Sequence, residues 1–477
     1  MKYSVVIALS AIWAVGCAEG CGKEVEPVHD FTDWSGYSDE QGRVPNRVPV
    51  RDATGIFTTT SSAGFIDVRN EFFQNLGSNG RRCVSCHVPT SGWTVTPRHL
   101  RAVFEATDGG TIDDAFGLGA VFRPIDGANS PEADVSTLEK RRAAYSLLLA
   151  RGLVRIHLPV PTDAEFELVA VDDPYHHASA ADLSLYRRPL PTTNLKFDST
   201  VMWDGREVVA GETVAQELQT QASHANEIHA EGKPLPLAQR VSIEEFATAL
   251  ASAQVFDDGA KHLHAGCARG GPDEILEQPF HIGINDNFGD SETGAPFTPT
   301  IFNLYDSWIR VTGYLESARR AVARGQVVFN TKPIAISGVS GINDEAAFGA
   351  PATLHGSCGT CHDTPNGGNH SVVLPLNIGL ASAALRTPDM PLYTFRHKLT
   401  GEIVQLTDPG RGLIDGKWTH LGRFKGPMLR NLAARAPYFH NGSASDLAAA
   451  VEFYDQRFQI GFTATEKADL VAFLRSL

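Results

Sequence analysis

Cys83-Val84-Ser85-Cys86-His87 and Cys358-Gly359-Thr360-Cys361-His362 are the two stretches that decide how this chain is read. Each sets two thiols three positions apart with a histidine directly behind. That pattern attaches a haem through two thioether bonds and offers an imidazole to its iron. A zinc ribbon would need both cysteine pairs to converge on one metal and would leave both histidines unexplained. A thioredoxin-like pair would need a compact βαβ setting, which neither stretch has. Cys83, Cys86, His87, Cys358, Cys361 and His362 are therefore read as the attachment and axial residues of two covalently bound haem c groups.

Composition narrows the class. The chain has 477 residues, 42% of them hydrophobic and 20% charged, which is the balance of a globular protein too long for one ordinary core. Its formal net charge of −14 argues against a nucleic-acid partner, and haem carboxylates would add to it. Of the 7 cysteines, four go to haem and Cys17 and Cys21 lie near the start, which leaves Cys267 and no framework of disulfides. Cys267 reads as a small buried residue.

Lys2, the apolar run from Val5 to Val15 and the box Ala14-Val15-Gly16-Cys17 read as an export signal with a lipidated cysteine. The expectation is an exported, periplasmic, lipid-anchored protein. No other run approaches the roughly 18 apolar residues that span a bilayer.

The expected fold is mainly α, two cytochrome c-like haem domains with a long insertion and little β structure. Residues 1–17 are assigned to the signal, 18–54 to a linker, 55–320 to an N-terminal haem domain with insertions and 321–477 to a C-terminal one. Phe65, Val68, Phe72, Phe73 and Leu76 recur at helical spacing before the first motif, as Ala323 to Phe329 do before the second. Helices are also expected over 139–151, 212–221 and 242–254. Val154–Val160 and Phe166–Val171 alternate and suggest a hairpin. The turn-forming cluster Asn285 to Asp290 reads as a solvated loop, with a calcium role as the alternative.

Three further motifs follow: Met202-Trp203-Asp204-Gly205-Arg206, Gln221-Ala222, and Phe424-Lys425-Gly426-Pro427-Met428-Leu429-Arg430-Asn431 running into Ala436-Pro437-Tyr438-Phe439-His440-Asn441-Gly442-Ser443. In this order around two haem motifs, over roughly residues 60–477, the chain resembles the bacterial diheme cytochrome c peroxidase and MauG superfamily.

The resemblance implies a division of labour. His87 would serve a haem that reacts with hydrogen peroxide and His362 one that relays electrons, with Trp203 bridging the two. The sixth ligand of the second haem falls at Tyr454, fourteen residues after His440. Peroxidases of the family carry methionine there and MauG-type enzymes tyrosine, whose phenolate favours ferric and higher iron states. Met428 and Met390 are the rival sulfur ligands. On the peroxide side the family positions point to Gln221, Glu227 and His229. Cleaving the O–O bond needs a group that moves a proton between its oxygens. An imidazole such as that of His229 has an unperturbed pKa close to the working range, whereas a carboxyl such as that of Glu227 would need burial to raise its pKa. A second histidine ligand, released on activation in some relatives, has His99 as its nearest counterpart. The resemblance also implies a calcium ion between the haems, held by the backbone of Arg435 and Pro437 and by Asn194. The partners implied are hydrogen peroxide and an electron donor, either a small redox protein or a protein or organic substrate oxidised at the surface. The alternatives are a non-catalytic diheme electron-transfer cytochrome and a sensor or scaffold.

Overall fold

Each attachment motif folds into a single 3-10 turn, Cys83–Ser85 and Cys358–Thr360. In the first, the Ser85 hydroxyl accepts the Arg82 N–H at 3.1 Å; in the second, the Thr360 hydroxyl accepts the Ser357 N–H at 3.0 Å. The same device is built twice. It belongs to a computed structural model that describes residues 26–477, so the expected export signal, Cys17 and Cys21 lie outside the described residues.

Around these turns the chain is a mixed α/β molecule, 31% helix and 16% strand, which corrects the mainly α expectation. The corrections share one cause. Short apolar runs fit either period, and strand pairing elsewhere in the chain decides between them. The run from Phe65 to Leu76 forms no helix: Phe65–Asp67 is a strand paired with Arg43–Pro45, and Glu71–Phe73 is a 3-10 turn. The helix expected over 242–254 ends at Thr248, and Leu250–Asp257 pairs antiparallel with Gly55–Ser61. The expected hairpin has both of its strands but not their pairing. Val154–Leu158 pairs with Leu183–Arg187, whereas Phe166–Asp172 pairs with Leu392–His397, which continues into Ile403–Leu406.

Other expected helices form. Leu138–Ala144 and Ser146–Arg151 break at Tyr145, Val214–His229 runs well past Gln221, and Glu316–Thr331 carries the apolar run before the second motif. The described part of the expected linker is ordered instead of loose. The Asp30 carboxylate caps the Phe31–Ser35 helix by accepting the Asp33 N–H, and Phe31 and Trp34 are buried against Phe73 and Trp93. Its polar composition hid two aromatic anchors. Cys267, expected to be buried, is exposed.

Three large cores result. One surrounds the first motif and includes Phe72, Val84 and Trp93. One packs Phe302, Tyr305 and Trp308 against the Glu316–Thr331 and Ala464–Arg475 helices. The third lies under the Phe166 and Leu392 strands, with Tyr393, Phe395 and Phe424. Among the described residues, no helix is long and apolar enough to cross a membrane.

The second motif is backed by the close crossing of the Glu316–Thr331 and Ala464–Arg475 helices. Arg324 reaches both carboxylate oxygens of Asp469, at 2.7 and 2.8 Å. At Gly325 a Cβ would stand 2.0 Å from the Asp469 carbonyl oxygen. In an open helix, alanine for glycine stabilises by about 0.5–1 kcal/mol. Here we expect Gly325→Ala to destabilise by about 1–3 kcal/mol through overpacking, read by urea titration. A more stable variant would show that the two helices do not touch there.

Candidate active site

Two cavities open beside the two motifs. The first is walled by Cys83, Cys86 and His87, by Gln221, Ala222 and His229 of the Val214–His229 helix, and by Ile243 and Ala247 of Leu237–Thr248. The second is walled by Cys358, Cys361 and His362, by Trp203, Phe424 and His440, and by Val451 and Tyr454 of Leu447–Phe458.

Each motif histidine is held in the same way. The His87 Nδ1–H donates to the Trp93 carbonyl at 3.3 Å, and the His362 Nδ1–H to the Gly368 carbonyl at 2.8 Å. Both acceptors lie six residues on and both have left-handed backbone, φ 62° at Trp93 and 71° at Gly368. Glycine adopts that conformation freely; for a tryptophan it costs on the order of 1–2 kcal/mol. Full burial and an indole N–H bond to the Thr59 hydroxyl at 2.9 Å hold Trp93 in place. With Nδ1 committed, Nε2 carries the lone pair that ligates a metal. Desolvation lowers both imidazoles to about 4, so they are neutral at any working pH. It also pushes the Cys83, Cys358 and Cys361 thiols up to about 12 and Cys86 to about 11.

The residues fit a haem in each cavity. Two thiols and one oriented imidazole stand in each wall, and most of the remaining wall is aliphatic or aromatic. His440 adds to the fit. It is buried in the second wall, stacked on Phe424 at 3.9 Å between ring centroids, and neither ring nitrogen has a hydrogen bond within the protein. A bound group bearing polar edges would supply one.

Tyr454 stands in the same cavity as His362. Burial, then the neighbouring Cys361 and Cys358, hold its phenol above the ordinary range. Met428 and Met390 pack into separate apolar clusters, outside both cavity walls. Trp203 lines the second cavity, and its indole N–H donates to the Arg188 carbonyl at 2.8 Å. The next residue, Asp204, is fixed by Arg187, which also grips both oxygens of Asp408 at 2.7 and 2.8 Å. All three are buried to within 2%.

In the first cavity Gln221 and His229 share the wall. Glu227 is not part of that wall, and its carboxylate accepts the Ser223 hydroxyl at 2.9 Å. His99, on the Pro97–Ala106 helix, is not part of it either. Sequence reasoning missed the partner of His229. The His229 Nδ1 lies 2.5 Å from the Asp126 carboxylate, which is buried and ion-paired with the equally buried Arg81. Burial opposes the charge on Asp126, but Arg81 and then His229 more than offset it and hold the carboxyl below its ordinary range. Asp126 sits in no motif, so only tertiary structure reveals it.

The residues expected to hold calcium do not fit one. The side chain of Asn194 is committed to Ser252, accepting its N–H and donating to its carbonyl, both at 3.1 Å. The Arg435 carbonyl already accepts the Arg188 guanidinium at 3.1 Å. Pro437 follows Arg435 across the cis Ala436-Pro437 bond. Among the described residues, no cluster of three or more His, Cys, Asp or Glu side chains is placed to hold a metal ion.

No protein-family model matches the chain. A cytochrome-c peroxidase IdrP2 of Denitromonas iodatirespirans is 32% identical over 139 residues, 26% of this chain and 37% of that protein. IdrP2 of Pseudomonas sp. (strain SCT) is 29% identical over 130 residues, 25% of this chain and 35% of that one. IdrP1 of the same strain is 28% identical over 140 residues, 25% of this chain and 36% of that one. The chain thus spans little more than a third of the length of these curated relatives. Among solved structures, a MauG-like protein associated with microbial copper homeostasis aligns over 91% of this chain and 92% of its own, at 15% identity and a TM-score of 0.37, too loose a likeness to assign a fold. Two Cys-x-x-Cys-His motifs, each set in the wall of its own cavity, stand beside a likeness to cytochrome-c peroxidases over about a quarter of this chain.

Proposed function

We propose that the chain is a diheme c-type oxidoreductase that reduces hydrogen peroxide in the first cavity with electrons passed by way of the second. The observation that carries this reading is the His229–Asp126–Arg81 arrangement in the cavity that also holds His87. When bound there, haem supplies the iron at which peroxide is reduced. The protein supplies the proton handling. Asp126 accepts the His229 Nδ1–H and leaves Nε2 as the free ring nitrogen, the tautomer a general base needs. The carboxylate then stabilises the imidazolium formed when Nε2 takes a proton from peroxide, and the same proton goes to the departing oxygen, which leaves as water. Arg81 keeps Asp126 ionised despite its burial. The Gln221 carboxamide, in the same wall, would orient the substrate.

Trp203 and Tyr454 belong to the second half of the proposal. Tyr454, in the wall of the second cavity, would ligate the partner haem through its phenolate and help it retain oxidising equivalents, the MauG-like variant of the chemistry. Trp203 would bridge the two haems. The donor would be a small redox protein or a protein or organic substrate oxidised at the surface. Export to the periplasm, with a lipid anchor at Cys17, fits covalent haem attachment.

A second reading has one observation in its favour. His229 is the other imidazole in the first wall, and as an iron ligand it would close that haem and make the protein an electron carrier. Low-temperature EPR of the oxidised, fully haem-loaded protein decides between them. We expect one high-spin and one low-spin ferric signal, the low-spin one altered by Tyr454→Met. Two low-spin signals, one of them lost in His229→Gln, would establish the carrier instead.

Peroxide turnover gives an independent check. We expect His229→Gln to lower kcat by about 10²–10⁴-fold. Asp126→Asn should cost less than His229→Gln, because it removes only the acceptor that orients the ring, and should add nothing further in the double variant. Losses that multiply in the double variant would show that Asp126 does not act through His229.

A further inference from the structure

Arg188 takes no part in the proton handling, but it ties the segment behind the first motif to Trp203 of the second cavity wall. Its side chain is buried, with 5% of the residue exposed. Its guanidinium donates to three carbonyl oxygens: Arg151 at 2.6 Å, Val95 at 2.8 Å and Arg435 at 3.1 Å. These carbonyls come from three separate parts of the chain. Val95 follows the first haem turn, Arg151 ends a helix of the long region between the motifs, and Arg435 precedes the Pro437-to-His440 segment. Gly152 leaves room for the head group, since a Cβ there would stand 2.7 Å from Nη1. The backbone of Arg188 is engaged as well. Its N–H donates to the His440 carbonyl at 2.7 Å, and its carbonyl accepts the Trp203 indole N–H.

We propose that Arg188 is a built-in cation at the junction of the two cavities, doing permanently what an exchangeable calcium ion would do there. A cage of backbone carbonyls is what a hard cation takes, and the head group fills it. No ion pair among the described residues brings Arg188 a carboxylate, so the cage carries the charge by hydrogen bonds alone. A dication added here would meet two guanidinium groups. That of Arg435 is equally buried and is held by the carbonyls of Asn431 and Met428, each at 3.0 Å, and of Arg430. Burial, then the Arg435 charge, lowers Arg188 only to about 9, so it stays cationic at neutral pH. The proposal does not depend on peroxide chemistry and would hold for an electron carrier of the same build.

The test uses the full, haem-loaded chain. The parent protein, dialysed against EGTA, should carry no stoichiometric calcium by atomic emission, show no site heat on calorimetric titration with calcium chloride, and melt at the same temperature with either additive. Arg188→Asn, which removes the charge but keeps a polar side chain, should melt lower in EGTA and recover with calcium. Arg188→Lys, which keeps the charge, should stay indifferent to calcium. One equivalent of calcium in the parent protein, lost to EGTA with a shifted melt or Soret band, would overturn the proposal. So would an Arg188→Asn protein as stable as the parent in EGTA. If that variant fails to fold, calcium content and titration of the parent protein still decide.

Discussion

The hydrogen bond from each motif histidine to a carbonyl six residues on is the constraint the rest of the structure serves. An imidazole attached through one Cβ turns freely, and a metal ligand must not. Committing Nδ1–H to the Trp93 or Gly368 carbonyl fixes tautomer and ring plane together. Each bond requires a left-handed residue at its acceptor. At the second site glycine provides it, while at the first a buried tryptophan is held there by its surroundings. The aromatic cluster of Phe72, Phe246, Trp34 and Trp93 can be understood as the support for that one conformation.

Buried charge organises the surroundings of the cavities. Arg187 joins Asp204 to Asp408, and Asp126 joins Arg81 to the His229 ring. Such groups contribute little net stability compared with apolar residues of the same size, but losing one partner of a buried pair costs about 3–5 kcal/mol. They therefore specify geometry more than they stabilise the fold. Asp204 immediately follows Trp203 and precedes Gly205, whose carbonyl accepts the Arg411 guanidinium at 2.7 Å. The indole is thus anchored by its neighbours as well as by its own N–H.

The haem sites were legible because their chemistry needs fixed residue types at fixed spacing within one short turn. Gln221 and His229 were singled out by family position alone, and both stand in the first wall. Asp126 and Arg188 were not legible. Their partners lie far off in sequence, and an aspartate or arginine outside a motif has no local mark that distinguishes it from a surface charge. The strands were misjudged for a related reason. Phe166 to Asp172 alternates as a strand should, but nothing near it shows that its partner is Leu392–His397. The linker expectation failed at Phe31 and Trp34, where two side chains outweighed the composition around them.

That last pairing bears on how the chain is made. Phe166–Asp172 is deep in the first half, and its neighbour in the sheet emerges only after the second Cys-x-x-Cys-His motif. Contacts so distant along the chain are slow to form, because a long loop must close first. During synthesis the strand therefore waits with an open edge, and the third core stays incomplete until nearly the whole chain is available.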